Sequence, residues 1–228
     1  MSVMRRIALT GASLALVAAA PAAAVAAGTT VSVRVEGLNR TLLPTKVVHT
    51  HAGSIRTGGT PAGVCPATNA AGALDVATAH HWSGTYSSSY GLSVTQIFGE
   101  THTFSSKDYW SIYVDNKFAP AGICGLKLHA GEQLLFAAVP DKGTEYPLVV
   151  NAPKHATAGQ TFTLKVSYVN AKGKTRPLAG ARVTGSGAAG VTSAAGTVSV
   201  RSAHTGTVTY TAAKTGFIRS AAAAVSIG

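Results

Sequence analysis

The sequence predicts an α+β region followed by an all-β region, and three observations carry that reading. Apolar and polar residues alternate over short stretches through most of the chain, the period of strands with one buried face. A single segment, 70–81, has helical spacing instead, with Leu74, Ala77, Thr78 and His81 on one face. Charge and aromatic residues also divide the chain of 228 residues in two. All eight acids lie between Glu36 and Glu145, whereas 151–228 holds nine bases and no acid. Eleven of the fifteen aromatics fall within 82–146. Two composition regimes meeting near Pro147–Pro153 predict two domains, 28–146 and 147–228.

The first element is an export signal over residues 1–27. Arg5 and Arg6 precede an apolar run from Ile7 to Val25, and Ala24, Ala26 and Ala27 are small residues that suit cleavage just before Ala27 or Gly28. No other run approaches the ~18–20 apolar residues that span a bilayer. The chain is therefore expected to be secreted, with no transmembrane segment after cleavage.

In the front region, Val31–Gly37 alternates as a strand and Arg40–Val48 reads as a second one after the Gly37-Leu38-Asn39 turn. Residues 52–69, rich in Gly, Pro, Thr and Ala, read as a long loop. Thr68 or Asn69 is placed to cap the helix, and Gly72 weakens it. Ser83–Ser89 reads as a polar loop. Val94–Phe98, Tyr109–Val114 and Gln133–Val139 complete the strands. The order β-β-α-β-β-β in ~115 residues fits a β-grasp-like α+β fold, one helix covering one face of a small sheet.

In the tail, Phe162, Leu164, Val166 and Tyr168 alternate with polar residues, and 170–174 follows as a turn. Short β-branched runs at Ala181–Thr184, Thr197–Arg201, Thr207–Thr211 and Ala224–Ile227 are separated by glycines, which predicts a small β-sandwich. Leu178–Val183, Val191–Val198, Gly206–Val208 and Lys214–Phe217 together resemble bacterial immunoglobulin-like or carboxypeptidase-regulatory-like surface modules, which implies an immunoglobulin-like β-sandwich acting as spacer or adhesion unit.

The front region carries a second resemblance. Thr85–Gly99, the hairpin Asp108–Lys117 with its W-x-x-Y-V-D-N run, Ala121-Gly122-Ile123 and Leu126–Phe136 with its L-x-x-G-E run are similar to the carboxy-terminal domain of transcobalamin and its bacterial relatives. The resemblance covers 85–140, and more loosely 29–146. It implies a β-grasp fold and a ligand-binding role. Corrinoid binding is implied by that resemblance alone, and residues 28–84 supply no helical barrel to hold the other side of a corrinoid.

The candidate ligand-binding residues are Tyr86, Tyr90, Trp110, Tyr113, Asp115 and Asn116. Trp110 and Tyr113 lie three apart, so they face opposite sides of a strand. Asp115-Asn116-Lys117 also reads simply as the turn of a hairpin. Cys65 and Cys124 are the only cysteines and, in an exported chain, are expected to pair. Closing so long a loop is worth roughly 4 kcal/mol by chain entropy.

The net charge of +11 first suggests nucleic acid. Export argues against it, and once Arg5 and Arg6 are removed the remaining +9 resides wholly in the acid-free tail. An anionic cell-wall polymer is the partner that such a tail would fit. No metal site is expected, since the histidines lack ligand spacing; His49, His51 and His81 are the places to look for one. No cofactor motif or catalytic signature occurs, although Glu100, Asp108 and Asp115 are acids of the type glycoside hydrolysis uses. The sequence thus predicts a non-enzymatic binding module of the cell envelope, for a small molecule or polymer. The alternative is a structural or adhesive surface protein.

Overall fold

The computed structural model describes residues 28–104, 106–142, 145–185 and 188–228. The predicted export signal, 1–27, lies outside the described residues. No helix among the described residues is long and apolar enough to cross a membrane.

The front part contains β1 (Thr30–Glu36), β2 (Thr41–His49), α1 (Ala70–Thr78), β3 (Trp82–Ser87), β4 (Gly91–Ile97), β5 (Glu100–Thr101), β6 (Asp108–Val114), β7 (Lys117–Phe118) and β8 (Gln133–Pro140). One sheet has the order β2-β1-β8-β6-β7, with β1 and β8 parallel, and a separate sheet has the order β3-β4-β5. Alternation puts Val31, Val33 and Val35 of β1 into the first core, with Leu74 and Ala77 of α1, Leu92 and Val94 of β4, and Trp110 and Ile112 of β6. β8 breaks the alternation. Its run Leu134–Val139 is buried on both faces, as a central strand covered on both sides must be.

The tail contains β9 (Tyr146–Asn151), β10 (His155–Ala156), β11 (Thr161–Val169), β12 (Thr175–Pro177), β13 (Arg182–Gly185), β14 (Ala188–Val191), β15 (Thr197–Arg201), β16 (Gly206–Ala213), β17 (Phe217–Ile218) and β18 (Ala223–Ile227). These form two sheets, β10-β18-β16-β13-β14 and β12-β11-β9-β17, with β15 pairing β11. Both contribute to a second core that includes Leu164, Val183, Val200, Tyr210 and Val225.

The fold class differs from the predicted one. The sequence predicts a β-grasp α+β domain with a covering helix, then an immunoglobulin-like module. The described residues are nearly all-β, strands making up 49% of them against one nine-residue helix. Two causes are local. Ala79 adopts a left-handed conformation (φ 51°) and ends α1 at Thr78, so His81 leaves the helical face. Ser83–Ser87, read as loop because small polar residues carry no periodic signal, pairs with β4 instead, and that hairpin belongs to a sheet of its own. In the tail, the parallel pairs β9–β17 and β10–β18 depart from the antiparallel pairing of an immunoglobulin sandwich.

Asn69 does occupy the position before α1, but its side chain does not cap the helix. It donates Nδ2 to the Cys124 carbonyl at 2.6 Å, tying the helix start to the loop after β7. The predicted disulfide between Cys65 and Cys124 is present, with Cα atoms 4.6 Å apart.

Front and tail meet on the outer face of the first sheet. Tyr113, Leu135, Ala137 and Val139 there pack against Ile218. Beside this patch, Arg34 and Glu36 point away from the first core yet are buried, at 6% and 1% exposure, because the tail covers them. Arg34 Nη1 donates to Glu36 Oε1 at 2.6 Å and to the Arg219 carbonyl at 2.8 Å. Arg219 Nε donates to Glu36 Oε2 at 2.9 Å, and its Nη1 and Nη2 donate to the carbonyls of Leu38 and Gly37.

Candidate functional site

A cleft among the described residues lies between β4 and β6 and has a volume of about 810 Å³. That is within the range of roughly 300–1,000 Å³ typical of small-molecule sites. Its floor is made by core residues, Leu92 and Val94 from β4 and Trp110 and Ile112 from β6, so packing fixes it. Its rim is aromatic and exposed: Tyr90 at 84%, Phe104 at 66% and Phe118 at 57%. Phe104 stacks on Tyr109 with centroids 4.8 Å apart. Among the described residues, none that lines it carries a charge. The indole nitrogen of Trp110 is buried and has no hydrogen-bond partner among the described residues.

A second cleft of about 560 Å³ lies between front and tail, lined by Tyr113, Asn116, Glu145 and Tyr146 among others. It shares Tyr109, Ser111, Phe118 and Pro120 with the first, so the two adjoin around the short β7. The Tyr113 hydroxyl donates to the Glu145 carbonyl at 2.9 Å. Burial pushes that hydroxyl up to about 12. Burial also raises the Glu145 carboxyl, with the Arg219 charge opposing.

The six candidate residues do not converge. Tyr90 and Trp110 line the first cleft, and Tyr113 and Asn116 line the second. Tyr86 alternates away from the cleft and packs against the first core, while its neighbours Thr85 and Ser87 line the cleft. Asp115 forms a turn with Asn116, both at positive φ (47° and 63°), and its Oδ1 accepts the Gln133 N–H at 3.0 Å. Phe104, Tyr109 and Phe118 were not singled out by the sequence, because their signal, aromatics beside strand ends, is shared with ordinary core residues.

The sequence also gave no hint of His102. This buried ring bridges two carboxylates: Nε2 lies 2.8 Å from Glu100 Oε1, and Nδ1 bonds Asp108 Oδ1. Glu100 Oε1 also accepts the Leu38 N–H at 2.8 Å. His102 meets Trp110 edge to face, with centroids 5.1 Å apart. Both ring nitrogens and both acids are thus committed to holding the floor of the cleft. No three or more His, Cys, Asp or Glu side chains among the described residues are placed to hold a metal ion together. His49, His51 and His81 are separately engaged, by Thr30, the Ala52 carbonyl and the Thr78 carbonyl.

A family described as a domain of unknown function (DUF4430) matches residues 71–138, the stretch from α1 to β8 that contains the first cleft. No curated protein matches the chain. Among solved structures, a candidate metal binding protein from Ruminococcus gnavus is similar over 49% of this chain and 97% of its own, at 14% identity and a TM-score of 0.36. Haptocorrin in complex with Cbi is similar over 50% of this chain, at 17% identity and a TM-score of 0.37. The chain spans only 25% of haptocorrin.

Proposed function

We propose that this protein is a secreted binding module whose first cleft takes an uncharged, largely apolar ligand, and that it acts without catalysing a reaction. The observation that carries the reading is the chemistry of the cleft: a packed apolar floor, an exposed aromatic rim and no charged lining residue. Burying apolar and aromatic surface there is worth roughly 25 cal/mol per Å², whereas an ion would lose its hydration without gaining a partner. The arrangement of His102 supports a scaffolding role, since its partners already occupy both of its nitrogens.

Titration with the neutral dye Nile red tests the reading. Binding should be saturable and at least tenfold weaker in Phe104→Ser/Phe118→Ser, which alters only exposed rim residues. Equal binding by the variant and the parent would overturn it.

A second reading draws on the tail. Lys154, Lys165, Lys172, Lys174, Arg176, Arg182 and Arg201 are all exposed and no acid lies among them. A basic surface of this kind fits an anionic cell-wall polymer, and retention on isolated cell wall should then fall as salt screens the charges.

A further inference from the structure

We propose that the ligand of the first cleft is an extended, uncharged peptide segment that adds as a strand to the open edge of β6. The inference rests on the cleft reading above and names the class of its occupant. It follows from the direction of the backbone groups along the two cleft walls.

On β6 the direction is fixed by flanking hydrogen bonds. Asp115 N–H donates to the Gln133 carbonyl, and Asp141 N–H to the Lys107 carbonyl. In an antiparallel pair these positions recur every second residue, so 107, 109, 111, 113 and 115 turn their backbone groups toward β8. The even-numbered residues turn theirs to the other side. There the Ile112 carbonyl accepts the Ala119 N–H, and the Asp108 carbonyl accepts the Ser106 hydroxyl. Between these two points β7 has already ended. The Trp110 N–H and carbonyl and the Ile112 N–H have no partner among the described residues.

The facing wall has the same character. Tyr86 N–H donates to the Gly58 carbonyl, away from β4, so Tyr86 and Leu92 form a non-hydrogen-bonded pair. Leu92 and, two residues on, Val94 therefore turn their backbone groups from β3 toward the cleft. Neither has a partner there among the described residues.

A cleft walled by unpaired strand edges and floored by apolar side chains matches an extended peptide on both counts. The backbone of an added strand supplies alternating donors and acceptors to the edge, and its alternate side chains enter the apolar floor. An ordinary apolar molecule would bury the floor and leave the edge groups unpaired, at a cost. The lining without charge requires the inserted segment to be neutral.

The test uses the full chain and two pools of capped, uncharged octapeptides, one unmodified and one N-methylated at alternate residues. The readout is residue-resolved amide exchange. The unmodified pool should slow exchange at Trp110 and Ile112 at least tenfold, and the N-methylated pool should not. Equal protection by both pools would overturn strand addition, as would no protection by either. The Nile red titration separates the two failures. Dye binding weakened in the rim variant, without peptide protection, leaves the cleft reading standing and removes the peptide, whereas equal dye binding by variant and parent, without peptide protection, removes both.

Discussion

Single residues here are often held by demands other than those their chemistry suggests. Tyr113 reads in sequence as a ligand contact, yet its ring packs with Leu135, Ala137 and Ile218 between front and tail, and its hydroxyl is spent on the Glu145 carbonyl. Burial raises its pKa to about 12, against about 10 for the unfolded chain. The folded state therefore favours the neutral phenol. Its contribution to stability is fully present below about pH 10 and is lost as pH rises from there through about 12. Tyrosinate absorbance should accordingly show Tyr113 ionising late in the native protein. In Tyr113→Phe that late step should vanish, the alkaline loss of stability should shrink, and neutral-pH stability should fall by about 1 kcal/mol for the lost hydrogen bond. An unchanged late step would mean that another tyrosine, such as the buried Tyr210, is responsible.

At the scale of elements, what the sequence made legible was whatever depends on short-range periodicity. The strand Thr197–Arg201 falls where alternation places it, and the Asn170 turn closes as expected, its Oδ1 accepting the N–H groups of Lys172 and Lys174. What it hid depends on pairing between distant segments. β3 is a strand only because β4 lies beside it, and the polar face of β1 is buried only because the tail covers it. The cleft was legible in part. Tyr90 and Trp110 lie in it, but Phe104 reaches it from the connection before β6 and Phe118 from β7, a strand of two residues too short to carry a periodic signal. Gly72 illustrates the same limit. Propensity alone says that Gly72→Ala should stabilise α1 by about 1 kcal/mol. A methyl group there would meet the Ala67 carbonyl oxygen at 1.8 Å, a backbone atom in the turn that leads into the helix. Gly72→Ala should therefore lower stability, by roughly 1–3 kcal/mol for overpacking. Thermal unfolding decides the sign, and a rise in midpoint would show that the turn yields to the methyl group.

For the whole molecule, the question is what joins front and tail. The apolar patch around Ile218 is small, whereas the neighbouring polar contact is dense. Glu36, 1% exposed, is held by Arg34, Arg219 and the Thr41 hydroxyl, while Arg219 also reaches two carbonyls of the β1–β2 turn. Burial lowers the Arg34 pKa, and the Glu36 charge opposes that shift. A buried ionic group of this kind adds little over an apolar pair of the same shape, but removing one member is costly because the others stay buried. Arg219→Ala leaves Glu36 paired with Arg34, so the cost should be roughly 2–4 kcal/mol, below that of stripping a lone buried charge. Arg219→Lys should not restore it, because an ammonium cannot span Glu36 and both carbonyls as the planar guanidinium does. Since these contacts cross between the two cores, their loss should also change how the molecule unfolds. Calorimetry is expected to show one transition for the parent chain and two for Arg219→Ala, front and tail then melting separately. A single transition in the variant would locate the coupling in the Tyr113–Ile218 patch instead of the ionic contact.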